Sequence, residues 1–162
     1  MSLLTVTVAC VGRLKEAYWR DACAEYVKRL TPFCRVQIIE VPEERLPDDP
    51  SDAQITAALE AEGHRLLSRI PAEAALVALC IEGKSVPSEE LSETLSHWTV
   101  DGISHIAFVI GSSCGLSPLV KESARLKLSM SSMTFPHQLA RVMLLEQLYR
   151  AVQIKNGGKY HK

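Results

Sequence analysis

"AALVALCI", Ala74–Ile81, is an unbroken apolar run of strand length. A strand with one wet face alternates polar and apolar residues, whereas a strand covered on both faces does not; continuous runs of this kind belong to the parallel strands of α/β sheets. "HIAFVI", His105–Ile110, repeats the pattern. Two earlier stretches, Leu3–Val11 and "RVQIIEV", Arg35–Val41, are rich in β-branched residues and are expected as strands, with a short one at Leu126–Met130. Helical segments separate them. Tyr18, Ala22, Tyr26 and Leu30 recur at helical spacing in Glu16–Leu30, which Pro32 closes. Ser51 with Gln54 forms a capping box opening a helix to about Arg69, and Ser88 caps another to about Val100. Ser117 followed by Pro118 is an N-cap and first-turn proline for a short helix to about Ala124. The last helix is expected over His137–Lys155, and "EGKSVP", Glu82–Pro87, is expected as a loop.

Strands alternating with helices predict one α/β domain over residues 1–162, an open, mostly parallel sheet flanked by helices. Ligands of such sheets bind where loops leave the carboxyl ends of the strands. The loops after Ile81, Ile110 and Met130 are therefore the candidates.

Composition narrows the classes. Hydrophobic residues make up 47% and charged residues 23% of the 162, as in ordinary globular domains. Five cysteines, an odd number without CxxC spacing, point to a reducing compartment and no metal. The opening "MSLLTVTVAC" has no basic n-region and alternates like a strand, so export is not expected; no stretch reaches the roughly 20 apolar residues of a membrane span. Net charge is −1, unevenly placed: from Leu119 onward eight Lys or Arg face two acids, +6, leaving −7 on the first 118 residues. The basic carboxyl-terminal part suits an anionic partner.

In the last helix Val142, Leu145, Tyr149 and Val152 form one apolar stripe, and Leu144, Leu148 and Ala151 a second. So wide a stripe implies burial on two sides, against the sheet and against either a deeper core or a second copy of the chain. Glu146 and Arg150, at i and i+4, read as a solvated ion pair. Two glycines then break the helix ahead of "KYHK", Lys159–Lys162. "IGSSCGLSP", Ile110–Pro118, has the small residues that let backbone approach a ligand, but it is neither a Walker loop nor a GxGxxG fingerprint. His137 and Arg141 share a helix face and could hold a carboxylate or phosphate.

The stretches "VGRLKEAYW", "EYVKRL", "IIEVP", "IEGK", "FVIG" with "GLS", "LSMSSMTFPHQLARVMLLEQLYRA" and the ending "YHK" together resemble the RlmH family of SPOUT-class methyltransferases over nearly the whole chain. The resemblance implies a SPOUT α/β fold with a C-terminal trefoil knot, a homodimer, and a cytoplasmic enzyme. Its implied reaction is methyl transfer from S-adenosyl-L-methionine (SAM) to N3 of a pseudouridine in 23S ribosomal RNA, without a metal. By position it assigns cofactor contacts to Leu79, Gly111, Met130, Ser131, Ser132, Met133, Thr134 and Phe135. Tyr160 and His161 are expected on the base, carried toward a neighbouring site by a glycine hinge, with Arg141 and the tail lysines on phosphates. Family members usually carry glycine after Gly111; Ser112 here is expected to crowd the cofactor or alter the backbone angle. On the residues alone, a non-catalytic α/β module binding a nucleotide or SAM stays open as the alternative.

Overall fold

The structure, a computed structural model, describes residues 3–162; Met1 and Ser2, the start of the stretch read as non-exported, lie outside it. In chain order the elements are β1 (Thr5–Val11), α1 (Ala17–Leu30), β2 (Arg35–Val41), α2 (Asp52–Arg69) and β3 (Ala75–Ser85). There follow α3 (Ser88–Val100), β4 (His105–Ile110), α4 (Pro118–Glu122), β5 (Leu126–Ser129) and α5 (His137–Lys155). The five strands form one parallel sheet in the order β2-β1-β4-β3-β5.

Side chains alternate across a strand, so both faces of the central strands need cover. Val6, Val8 and Cys10 of β1 point into a core shared with Phe108 of β4, Cys23 and Leu30 of α1, Leu91 and Trp98 of α3, and Leu144, Leu145 and Leu148 of α5. Ala9 and Val11 point the other way, onto Leu66 of α2 and Val120 of α4. Three helices therefore lie on one face and two on the other. This double cover is why β3 and β4 read as continuous apolar runs.

Helix ends follow local chemistry. Ser51 Oγ accepts the Gln54 N–H at 3.1 Å while Gln54 Oε1 accepts the Ser51 N–H at 2.8 Å, completing the capping box. Ser117 Oγ accepts the Val120 N–H at 3.3 Å at the head of α4. Both apolar stripes of α5 are covered within the chain: Leu144, Leu145, Leu148 and Ala151 are buried, and Val142, Tyr149 and Val152 pack half-buried against the same core between α1 and α3.

One expected loop is strand. β3 runs on through "EGKS", its ladder with β5 resuming at Lys84 and Ser85 after an irregularity beyond Leu79. Gly83 explains the pressure: a Cβ there would stand 2.8 Å from the backbone of Lys127 and Leu128. The sequence signal was hidden because a bulged, charged continuation of an apolar strand looks like a turn.

Candidate functional site

The order in which strands are added reverses between β1 and β4, since the chain first steps outward to β2 and then crosses to β3 on the far side of β4. β4, β3 and β5 are neighbours, so the loops following them leave the carboxyl edge side by side. These loops carry Gly111 and Met130–Phe135, with Leu79 below them as a half-buried residue of β3 opposite Leu128.

The loop after β4 is a tight reversal. The Gly115 N–H bonds to Ser112 C=O at 2.9 Å, and Gly111 sits so close beneath that a Cβ would lie 2.2 Å from the Gly115 carbonyl oxygen. Only glycine fits at 111. Ser112 turns outward instead of inward: its Oγ donates to Glu62 Oε1 at 3.1 Å. Glu62, buried in α2, also accepts the Glu44 N–H at 2.9 Å on Oε2. Burial pushes the Glu62 carboxyl above its usual range, and the two hydrogen bonds hold it partly back. The Ser112 hydroxyl is thereby held toward α2.

The loop after β5 is held by its serines. Ser129 Oγ donates to the Ser131 carbonyl at 3.0 Å, and the Met133 N–H donates to Ser131 Oγ at 3.0 Å. Met133 is 70% exposed and Ile81, at the end of the apolar part of β3, 52%. Exposed backbone and apolar side chains on adjacent loops are what an adenine and a thioether chain would contact.

Arg141 does not stand where a phosphate contact would. It is 2% exposed; its Nη1 donates to Glu40 Oε2 of β2 at 2.6 Å and its Nη2 to the Gly12 carbonyl at 3.3 Å, while Nε is buried without a partner. Its guanidinium clamps α5 onto the carboxyl ends of β1 and β2. His137, one turn earlier, has a buried Nδ1 without a hydrogen-bond partner, and desolvation holds its pKa below the usual value, with Glu43 opposing and Arg141 assisting.

The tail is placed, not free. Gly157 has φ +68°, its N–H reaches Ile154 C=O at 3.2 Å and the Gly158 N–H reaches Gln153 C=O at 2.8 Å, the two bonds of a Schellman turn. The chain turns back along α5 instead of hinging away. Tyr160 donates its hydroxyl to Glu146 Oε1 at 3.1 Å, stands edge-on to Tyr149 at 4.7 Å and lies under the Arg150 guanidinium at 4.8 Å. Desolvation first and the Glu146 carboxylate second push the Tyr160 phenol up to about 12. Arg150 Nη1 lies 3.1 Å from His161 Nδ1, and Glu89 Oε1 lies 2.6 Å from His161 Nε2. Arginine only donates, so Nδ1 accepts and Nε2–H donates to Glu89. Glu89 opens α3, so the tail returns to the same edge of the sheet as the loops.

The structure thus groups Tyr160 and His161 with Glu146, Arg150 and Glu89, and separates Arg141 from them. Glu146 and Arg150, expected as a solvated pair, are the tail's dock, with side chains only 19% and 25% exposed. Spacing could not reveal this, since their partners arrive through a turn ten residues later. Among the described residues no cluster of His, Cys, Asp or Glu could hold a metal ion, and no helix is long and apolar enough to cross a membrane.

A parallel sheet with ligand loops at one edge and a return helix carrying a polar tail defines a class, and comparison with known proteins specifies it. The family model described as "Predicted SPOUT methyltransferase" matches residues 4–161. A Streptococcus sanguinis protein named ribosomal RNA large subunit methyltransferase H is 46% identical over 98% of this chain and all of its own length. Among solved structures, a probable methylase family protein from Haemophilus influenzae superposes with a TM-score of 0.55 at 14% identity, covering 99% of this chain and 71% of that one. A Legionella pneumophila protein solved with bound SAM gives 0.51 at 13% identity, covering 92% and 66%. The chain belongs to the SPOUT methyltransferase family and has its α/β fold.

Two outcomes test this geometry. Glu40→Gln leaves a buried guanidinium without its counter-charge, and because Glu40 is itself 39% exposed the loss in urea unfolding is expected at about 2–3 kcal/mol, below the roughly 3–5 of a fully buried pair. Since the folded-state pKa of His137 is depressed, its neutral form favours folding above the unfolded pKa of about 6.5, and stability falls as pH drops through that value toward the folded one. His137→Gln is expected to flatten that part of the stability profile.

Proposed function

We propose that this single domain transfers the methyl group of SAM to N3 of a pseudouridine in 23S ribosomal RNA. The observation that carries the reading is the tail fixed at the carboxyl edge beside the ligand loops: a polar pair, Tyr160 and His161, at the edge where this fold class holds its ligand. The name borne by the Streptococcus relative supplies the RNA class.

The loops fit SAM. Gly111 keeps the backbone of its loop low, Ser112 is drawn off by Glu62, and Met133 and Ile81 offer apolar contact above Leu79. Met130–Phe135 would surround the cofactor mainly with backbone groups, which recognise adenosine and methionine alike through N–H and C=O. SAM brings a methyl group already activated on a sulfonium, so the protein's part is alignment and removal of an imino proton. Tyr160, its phenol held protonated and its one O–H given to Glu146, accepts a hydrogen bond from a base N–H on its hydroxyl oxygen. His161 is the proton acceptor once the base replaces Arg150 at Nδ1, the ring nitrogen that carries the lone pair, while Nε2–H stays on Glu89, which orients the ring. Arg141 acts as a positioning residue through α5, and Lys159 and Lys162 remain for phosphates.

We also infer a cytoplasmic homodimer. Tyr18 at the head of α1, Ile81 after the apolar part of β3 and Met133 after β5 are exposed apolar side chains at one end of the molecule, 64%, 52% and 70% accessible. A partner seated there would close the site and exclude water. The trefoil knot belongs to the same reading: family membership and the return from edge strand β5 to a helix buried over the sheet centre support a threaded chain.

Calorimetry with SAM and methyl-transfer kinetics on ribosomes lacking the modification test the proposal. The protein is expected to bind SAM, and His161→Ala to leave SAM affinity within about twofold while lowering kcat by about 100-fold or more. Loss of SAM affinity with normal turnover would refute the assignment.

A further inference from the structure

Beside the ligand loops, at the carboxyl ends of β1 and β2, lies an open groove of about 860 Å³ that contains none of the cofactor residues named above. Its floor is Gly12 and the His137 ring, whose Cε1 would lie 3.4 Å from a Cβ on Gly12, with the exposed carboxylate of Glu43 beside them. Its rim carries Arg13, Lys15 and Arg45, all exposed and making no ion pair among the described residues. The acids Glu16 and Glu40 also line it, but Glu40 is neutralised by Arg141 beneath.

We propose that this groove binds a nucleotide of the single-stranded RNA that flanks the methylated base, phosphates on Arg13, Lys15 and Arg45 and the base edge on Glu43 and His137. The inference rests on the RNA methyltransferase reading. A purely basic groove would suit any polyanion. Here cations stand on the rim while hydrogen-bonding groups line the floor, which matches a nucleotide's own division into phosphate and base. His137 turns its Cε1–Nε2 edge toward Gly12 in the groove, where Nε2 makes no hydrogen bond among the described residues and can take one from a base, and Glu43 offers an acceptor to base N–H groups. The volume is ample for one nucleotide, within the roughly 300–1,000 Å³ of small-molecule clefts. His137 follows the Met130–Phe135 loop by one residue, so a strand in the groove runs directly on to the methyl-transfer edge.

The test is the double variant Arg13→Ala/Arg45→Ala, compared with Lys28→Ala/Arg69→Ala, which removes two exposed cations from the last turns of α1 and α2 at the opposite end of the sheet. Binding to ribosomes that lack the modification is measured by filter retention across salt concentrations, alongside methylation kinetics and SAM calorimetry. For the groove variant, ribosome affinity is expected to fall at least about tenfold and the salt slope to become shallower by about 1.4, the value of two contacts to a single strand. Its SAM affinity and kcat stay as in the parent, and the control pair loses far less. Equal loss in both variants, unchanged affinity in the groove variant, or a fall in SAM affinity would overturn the groove assignment while leaving the methyltransferase reading intact. A parent protein that neither binds nor methylates ribosomes would overturn both.

Discussion

The ion pair between Arg141 and Glu40 is the constraint on which the functional geometry depends. It ties the first turns of α5 to the ends of β2 and, through the Gly12 carbonyl, of β1. α5 is where the two parts of the candidate site meet: the loop Met130–Phe135 enters it and the tail Tyr160–His161 leaves it. A helix seated only by leucines could slide by a fraction of a turn. A guanidinium clamped between a carboxylate and a carbonyl cannot do so without exposing an uncompensated charge to the core. The seat therefore fixes the start of α5, and the Schellman turn at Gly157 and Gly158 fixes the direction in which the tail comes back.

Around that helix the polar groups divide by state. Tyr160 stays a phenol because burial and Glu146 both oppose its ionisation, and His137 stays neutral because it is desolvated. Methyl transfer from a sulfonium needs no strong acid, so a neutral site that can accept one proton suits the chemistry. Cations remain at the periphery, on Arg13, Lys15, Arg45 and the tail lysines, where water keeps them inexpensive and phosphates can reach them.

Much of this was written plainly in the chain. Apolar runs at Ala74–Ile81 and His105–Ile110 identify central parallel strands, and the Ser51–Gln54 and Ser117–Pro118 signals place two helix starts correctly. Local rules succeed there because both faces of the sheet are covered and the caps act within four residues. They fail where a contact closes over distance. Arg141 lies on the buried stripe of Leu144, Leu145 and Leu148, a position that hinted at burial, but its partner Glu40 is 101 residues away. The acceptor of the Ser112 hydroxyl, Glu62, lies fifty residues earlier and no local pattern points to it. The loop residues Gly111 and Met130–Phe135 carry few side-chain signals, and only the family resemblance singled them out.

The most direct measurement is mass spectrometry of 23S ribosomal RNA after ribosomes lacking the modification are incubated with the protein and SAM bearing a deuterated methyl group. The account predicts one labelled methyl, on N3 of a single pseudouridine. Saturable SAM binding with no label in the RNA, or label on a ribose or on a ribosomal protein, would contradict it.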